Sequence, residues 1–136
     1  MKNGVDAVTD IPDGRLKLWQ RANIDAGSFP RHGGYLQDID RFDPYFFNIS
    51  PRESEAMDPQ QRLLIEVAQE AFENAGLAEN VLAGSTTGVF VGLWTSDYQD
   101  YLLENNRHVN LYMTTGTGRY AAAGRLSYIF DLRGPC

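Results

Sequence analysis

An α/β fold is predicted by three stretches of this chain: a capped amphipathic helix at 59–75, an almost unbroken apolar run at 87–93, and helical spacing rich in small residues at 119–130. The first helix carries its own start and stop. Asp58 offers a capping carboxylate, Pro59 fits the first helical position, where no N–H is needed, and Gln61 stands where a capping box is completed. Leu63, Leu64, Val67, Ala68, Ala71, Phe72 and Ala75 recur at the spacing of one helical face, while Arg62, Glu66, Glu70 and Glu73 fall elsewhere. Gly76 then ends the helix as the residue past its cap. The run at 87–93 is short, apolar and β-branched, with glycines at 88 and 92, and predicts a buried strand covered on both faces. Residues 96–104 form an amphipathic helix presenting Tyr98, Tyr101 and Leu102. In the helix at 119–130, Ala121, Ala122, Ala123, Gly124 and Ser127 allow close packing, and Gly134 and Pro135 then turn the chain.

The earlier residues are less regular. Residues 1–34 are rich in Gly, Pro and Asp without a sustained period, which predicts loop with a short helix near 16–22. A short extended piece is expected at 35–39. Phe42, Tyr45, Phe46, Phe47 and Ile49 are too apolar for a free loop and are expected to pin their segment onto a core. Residues 51–56 read as a helical turn capped by Ser50. There is no internal repeat, low-complexity stretch or linker dividing the chain, so residues 1–136 are expected to form one domain.

Composition narrows the function classes. At 136 residues, 43% hydrophobic and 22% charged, the chain is an ordinary globular domain by length and content. A net charge of −6 argues against nucleic acid as a partner, which would leave a basic footprint. Apolar runs of only a few residues, such as Val89-Phe90-Val91, are too short to span a bilayer, so no membrane role is expected. The N-terminal residues lack the apolar region of a signal peptide, and one cysteine cannot make an internal disulfide; a cytoplasmic location is expected. Asn48-Ile49-Ser50 is then a glycosylation sequon without consequence.

Several residues invite a chemical role and are better read otherwise. Cys136 with His32 and His108 has the residue types of a Cys-His nucleophile, but a catalytic thiol needs a base held within hydrogen-bond reach. Gly116-Thr117-Gly118-Arg119-Tyr120-Ala121 fits the outline of a dinucleotide fingerprint, yet 111–115 is a poor strand to precede it. Neither histidine pairs with Cys, Asp or Glu at metal-ligand spacing, so no metal is expected. Asp97 and Asp100 share one side of a helix, the usual mark of a solvated face. Tyr98, Tyr101, Tyr112 and Met113 read as core or interface.

Longer motifs carry a resemblance. Phe42-Asp-Pro-x-Phe-Phe-x-Ile-Ser-Pro-Arg-Glu53, followed by Met57-Asp-Pro-Gln-Gln-Arg-Leu63, resembles the N-terminal half of a ketosynthase domain of modular polyketide synthases, the β-ketoacyl synthases of thiolase-like fold. Asp10-Ile11-Pro12, Gly33-Gly34-Tyr35-Leu36-x-Asp38-Ile39-Asp40-Arg41-Phe42, Thr87-Gly88-Val89-Phe90-Val91-Gly92 and Ala123-Gly124-Arg125-Leu126-Ser127-Tyr128-Ile129-Phe130-Asp131-Leu132-Arg133-Gly134-Pro135 are similar to family segments in the same order. The resemblance implies a partial thiolase-like fold lacking the family's first strand and everything from its nucleophile strand onward. It also implies a parent enzyme that extends an acyl chain by decarboxylative condensation, with a cysteine nucleophile and two histidines.

None of those catalytic motifs occurs in this chain, so no catalytic residue is assigned to it and the chain alone is expected to be inactive. By the resemblance, Cys136 matches a small residue following Gly-Pro, and Tyr112, Met113, Thr114 and Thr115 are expected at the acyl tunnel and subunit interface. No cofactor is expected to bind directly. The parent's implied partners are an acyl carrier protein with its phosphopantetheine arm, adjacent synthase domains and a second copy of itself. Gln69 stands where the family usually has Trp, an expected loss of packing. The alternative is a non-catalytic docking or dimerisation module of ketosynthase type. An unpaired apolar strand at 87–93 would make the isolated chain poorly soluble or molten.

Overall fold

The computed structural model describes residues 4–21, 27, 30–77, 79–105 and 110–136, and of residues 18–21, 79 and 80 the backbone alone. The described residues form two compact units, residues 1–39 and 40–136. In the first, β1 (Thr9–Asp10) and β2 (His32–Gly33) pair antiparallel, Thr9 opposite Gly33 and Asp10 opposite His32. Ile11 is buried beyond the pair, and its N–H donates to the Arg31 carbonyl at 2.8 Å. The helix expected near 16–22 begins earlier, as α1 (Asp13–Arg21), because the Pro12 carbonyl accepts from Arg15 and Leu16 and so closes the first turn. Residues 35–39 are irregular rather than extended. Tyr35 turns back so that its hydroxyl donates to the Pro30 carbonyl, and Asp38 takes a left-handed φ of 50°.

The second unit is helical: α2 (Pro51–Ala56), α3 (Pro59–Asn74), α4 (Glu79–Leu82), α5 (Asp97–Glu104), α6 (Leu111–Thr117) and α7 (Ala121–Ile129). Ser50 caps α2 as expected, its Oγ accepting from the Glu53 N–H at 3.1 Å. Asp58 caps α3 by accepting from the Gln60 N–H at 2.9 Å. The capping box does not close, because the Gln61 amide turns away to other partners. At its far end Gly76, with φ 67°, allows the Leu77 N–H to reach the Phe72 carbonyl. The same device ends α7 without glycine: Asp131 has φ 47°, and the Leu132 N–H donates to the Ser127 carbonyl at 2.8 Å.

Ile49, Met57, Ile65, Leu82, Leu126, Phe130 and Leu132 make the core, with Phe72 edge-on to Phe130 at 5.0 Å. The buried face of α3 is rotated from the expected one. Gln61 and Ile65 are its buried residues, and Leu64, Ala68 and Phe72 pack beside them, whereas Val67, Ala71 and Ala75 face solvent. In the aromatic segment Phe42 and Phe47 stack against each other and pack on the core with Ile49, while Tyr45 and Phe46 stay exposed. Asp43 shapes this turn by accepting from the Tyr45 and Phe46 N–H groups.

Residues 87–93 are not a strand covered on both faces. Val89 and Val91 pack on the core, but Phe90 between them is 81% exposed. The segment runs beside 133–135 in the same direction: Arg133 N–H donates to Ser85, Gly134 N–H to Thr87, and Val89 N–H to Pro135. Pro135 has no N–H to complete that parallel bridge, so a regular ladder does not form. Gly134 is required for the approach, since a Cβ there would overlap the Thr87 carbonyl.

Candidate functional site

Residues 112–115 lie within α6, which its own sequence disfavours. Thr114, Thr115 and Thr117 are β-branched and Gly116 is the weakest helix former after proline. Asn110 starts the helix, its Oδ1 accepting from the Tyr112 N–H at 2.8 Å. The end is held by donors from elsewhere. Of the carbonyls left over at the C-terminus, Thr114 accepts from the Tyr120 hydroxyl at 3.2 Å, Thr115 from Gln61 Nε2 at 3.1 Å, Gly116 from the Asp58 N–H at 2.8 Å, and Thr117 from Ser96 Oγ at 2.9 Å. Gln61 Nε2 also donates to Gly118, at 3.1 Å. Each orphan acceptor of the last turn therefore has a partner.

Close contact makes this possible. Gly116 sits against the α2–α3 junction, where a Cβ would overlap the Ala56 carbonyl. Gln61 is 2% exposed, and its Oε1 accepts from Arg125 Nε at 2.9 Å. Arg125 in turn pairs with Glu53, Nη1 to Oε1 at 2.6 Å, with both side chains largely covered. One chain of bonds thus joins α2, α3, α6 and α7.

The neighbouring electrostatics follow from burial. Asp58 is buried, which pushes its carboxyl above the usual value; Asp97 adds to this, and bonds from Gln60 and the charge of Arg62 counter it. Burial likewise raises Tyr98, opposed by Arg62, whose guanidinium lies 5.8 Å from the ring centre. Tyr98 stacks on Tyr101, and its hydroxyl donates to the Glu55 carbonyl at 2.8 Å.

Between α5 and α6 lies an open cleft of about 400 Å³, lined along α6 and its end by Met113, Thr114, Thr117 and Gly118, with Leu103 and Tyr120 among the other lining residues. Tyr112 and Thr115 are exposed and do not line it. A second open cleft, about 460 Å³, lies beside Gln69, whose Nε2 donates to Glu73 Oε1 at 2.8 Å, with Phe47, Ile129 and Phe130 behind. Cys136 is exposed, His32 Nε2 meets Asp10 Oδ1 at 3.1 Å in the first unit, and His108 lies outside the described residues. Gly116 is helical, so the strand–turn–helix of a dinucleotide site does not exist here. Among the described residues no His, Cys, Asp and Glu gather as for a metal, and no helix is long and apolar enough to cross a membrane.

Sequence reasoning missed Gln61, Arg125 and Glu53 as a connected set. Gln61 had a signal, but its position suggested a local cap, and only packing brings Thr115 and Gly118 to its amide.

Residues 1–136 match the family described as Beta-ketoacyl synthase, N-terminal domain. The chain is 50% identical over 140 residues to the highly reducing polyketide synthase easB of Emericella nidulans, a match covering 99% of this chain and 6% of that protein. It is 41% identical over 140 residues to the highly reducing polyketide synthase 40 of Fusarium pseudograminearum, again covering 99% and 6%. In structure it resembles the ketosynthase from module 6 of the bacillaene synthase of Bacillus subtilis, with a TM-score of 0.73 and 33% identity over 98% of this chain and 20% of that one. A similar match is the oxazolomycin ketosynthase domain OzmH KS7 of Streptomyces albus, with a TM-score of 0.74, 32% identity and coverage of 98% and 24%.

Proposed function

The chain belongs to the β-ketoacyl synthase family, as a part of its N-terminal domain with a partial thiolase-like α/β fold, and on that premise we propose that the protein carrying it condenses carrier-bound thioesters. The observation behind this reading is the 50% identity to a polyketide synthase over 99% of the chain. The chain spans only 6% of the two curated synthases named above, so the activity is proposed for the whole protein.

In the proposed reaction, a cysteine thiolate of the whole protein first takes an acyl group from a carrier protein as a thioester, releasing the carrier's phosphopantetheine thiol. A malonyl-type thioester then loses CO2, and the electron pair released forms the new carbon–carbon bond to the acyl carbonyl. The cysteine leaves as thiolate, and the product is a β-ketoacyl thioester on the carrier. Two histidines hold the developing enolate oxygen. The phosphopantetheine arm belongs to the carrier protein and enters as part of the substrate. Adjacent synthase domains, a dimeric state and a cytoplasmic location belong to the same proposal.

Of this chain's own residues, Tyr112, Met113, Thr114 and Thr115 contribute to the acyl tunnel and subunit interface. The cleft walled by Met113 and Thr114 favours those two for direct contact. The test is to supply the intact protein with an acyl thioester and a malonyl-loaded carrier. A β-ketoacyl product with one CO2 released per bond is expected; acylation without condensation, or neither, overturns the reading.

A further inference from the structure

Gln61 spends every polar atom of its side chain on other elements. Two donors go to the carbonyls of Thr115 and Gly118, and the one acceptor takes the Arg125 Nε–H. Arg125 is itself fixed by Glu53 at 2.6 Å. A glutamine that is 2% exposed does not keep such bonds for solubility, and a helix of Thr and Gly residues is weakly held by its own sequence. Of the two carbonyls it holds, that of Thr115 lies inside the last turn of α6 and that of Gly118 just past it, and Met113 and Thr114, which line the cleft, lie at the start of that turn. Asp58 N–H and Ser96 Oγ hold the intervening carbonyls, but each reaches only one.

We infer that Gln61 is a positioning residue for acyl-chain selection: braced by Arg125 and Glu53, it fixes the last turn of α6 and thereby the wall formed by Met113 and Thr114. The inference rests on the condensing reading above. It predicts that acyl-chain preference depends on a residue of α3 that does not line the cleft.

The test compares intact wild-type protein with Gln61→Met, which keeps length and removes every hydrogen bond. Amide hydrogen exchange should quicken by at least about tenfold at 113–118, with the middle of α3 unchanged. The ratio of kcat/KM for long over short acyl thioesters should shift by at least about threefold. Unchanged exchange in α6, equal loosening of α3 and α6, or a loosened α6 with an unchanged acyl profile each overturns the inference. Should Gln61→Met not fold, Arg125→Lys serves. It keeps Gln61 on both carbonyls and removes only its brace, so a smaller effect confined to α6 is expected, and no effect overturns the inference. A wild-type protein that condenses no thioester defeats the condensing reading instead, and the exchange data separate the two failures.

Discussion

Asp58 caps α3 with a carboxylate whose charged form burial disfavours. The folded chain therefore holds this proton to higher pH than the unfolded chain does. The stability from this group is greatest below the ordinary value of 3.8 and is lost as pH rises through the raised folded value. Asp58→Asn keeps a capping oxygen for the Gln60 N–H and never ionises. At neutral pH the variant should hold the first turn of α3 at least as firmly as the native residue, and the difference should vanish well below pH 3.8. Asp58→Ala instead loses the cap and should cost about 1 kcal/mol. Urea titrations of exchange at the first-turn amides, run at both pH values, check both variants; an Asn variant weaker than native at neutral pH contradicts the argument. The cap itself was legible in the sequence, since Asp-Pro before an apolar period has a local cause. The partner of Gln61 was not, because its carbonyls come from residues more than fifty positions away.

At the level of elements, α6 and α7 pose opposite demands on glycine. Gly116 lies where a Cβ would meet the Ala56 carbonyl, so Gly116→Ala must push α6 off the α2–α3 junction and break the bond from Asp58. A cost of about 2–3 kcal/mol is expected, with loss of protection across α6. Gly124 in α7 has nothing within 4 Å of such a Cβ, and Gly124→Ala should stabilise by up to about 1 kcal/mol. Parallel exchange measurements on the two variants check the contrast; equal effects would mean that the packing of α6 on α2 is not as described. The same contrast explains what could be read in advance. Helix α3 carries its own periodicity and stop signal and α7 its own helical spacing, and both formed close to the expected bounds. The helix α6 was hidden because its Thr and Gly content is poor for helix, and Asn110 was the one local signal of its start.

Across the second unit as a whole, apolar groups outnumber the places to bury them. Phe90, Trp94, Leu111 and Tyr128 are exposed, and among the described residues 85–89 pairs on one side only, with 133–135. An excised 1–136 should bind a hydrophobic dye and unfold without a sharp transition, unlike the intact protein. A cooperative melt of the excised chain with no dye binding would contradict this. The match to ketosynthases over a fifth to a quarter of their length agrees with surfaces completed by further chain. The sequence by itself determined the family, the caps at Ser50 and Asp58, and the extent of α3 and α7, because each rests on neighbouring residues or on linear motifs. Only the tertiary structure decided which face of α3 is buried, that 87–93 forms no ladder, and that 112–115 is helical. Those depend on where distant backbone donors and acceptors meet: Pro135 lacks the N–H that a ladder needs, and Gln61 supplies the ones that α6 needs.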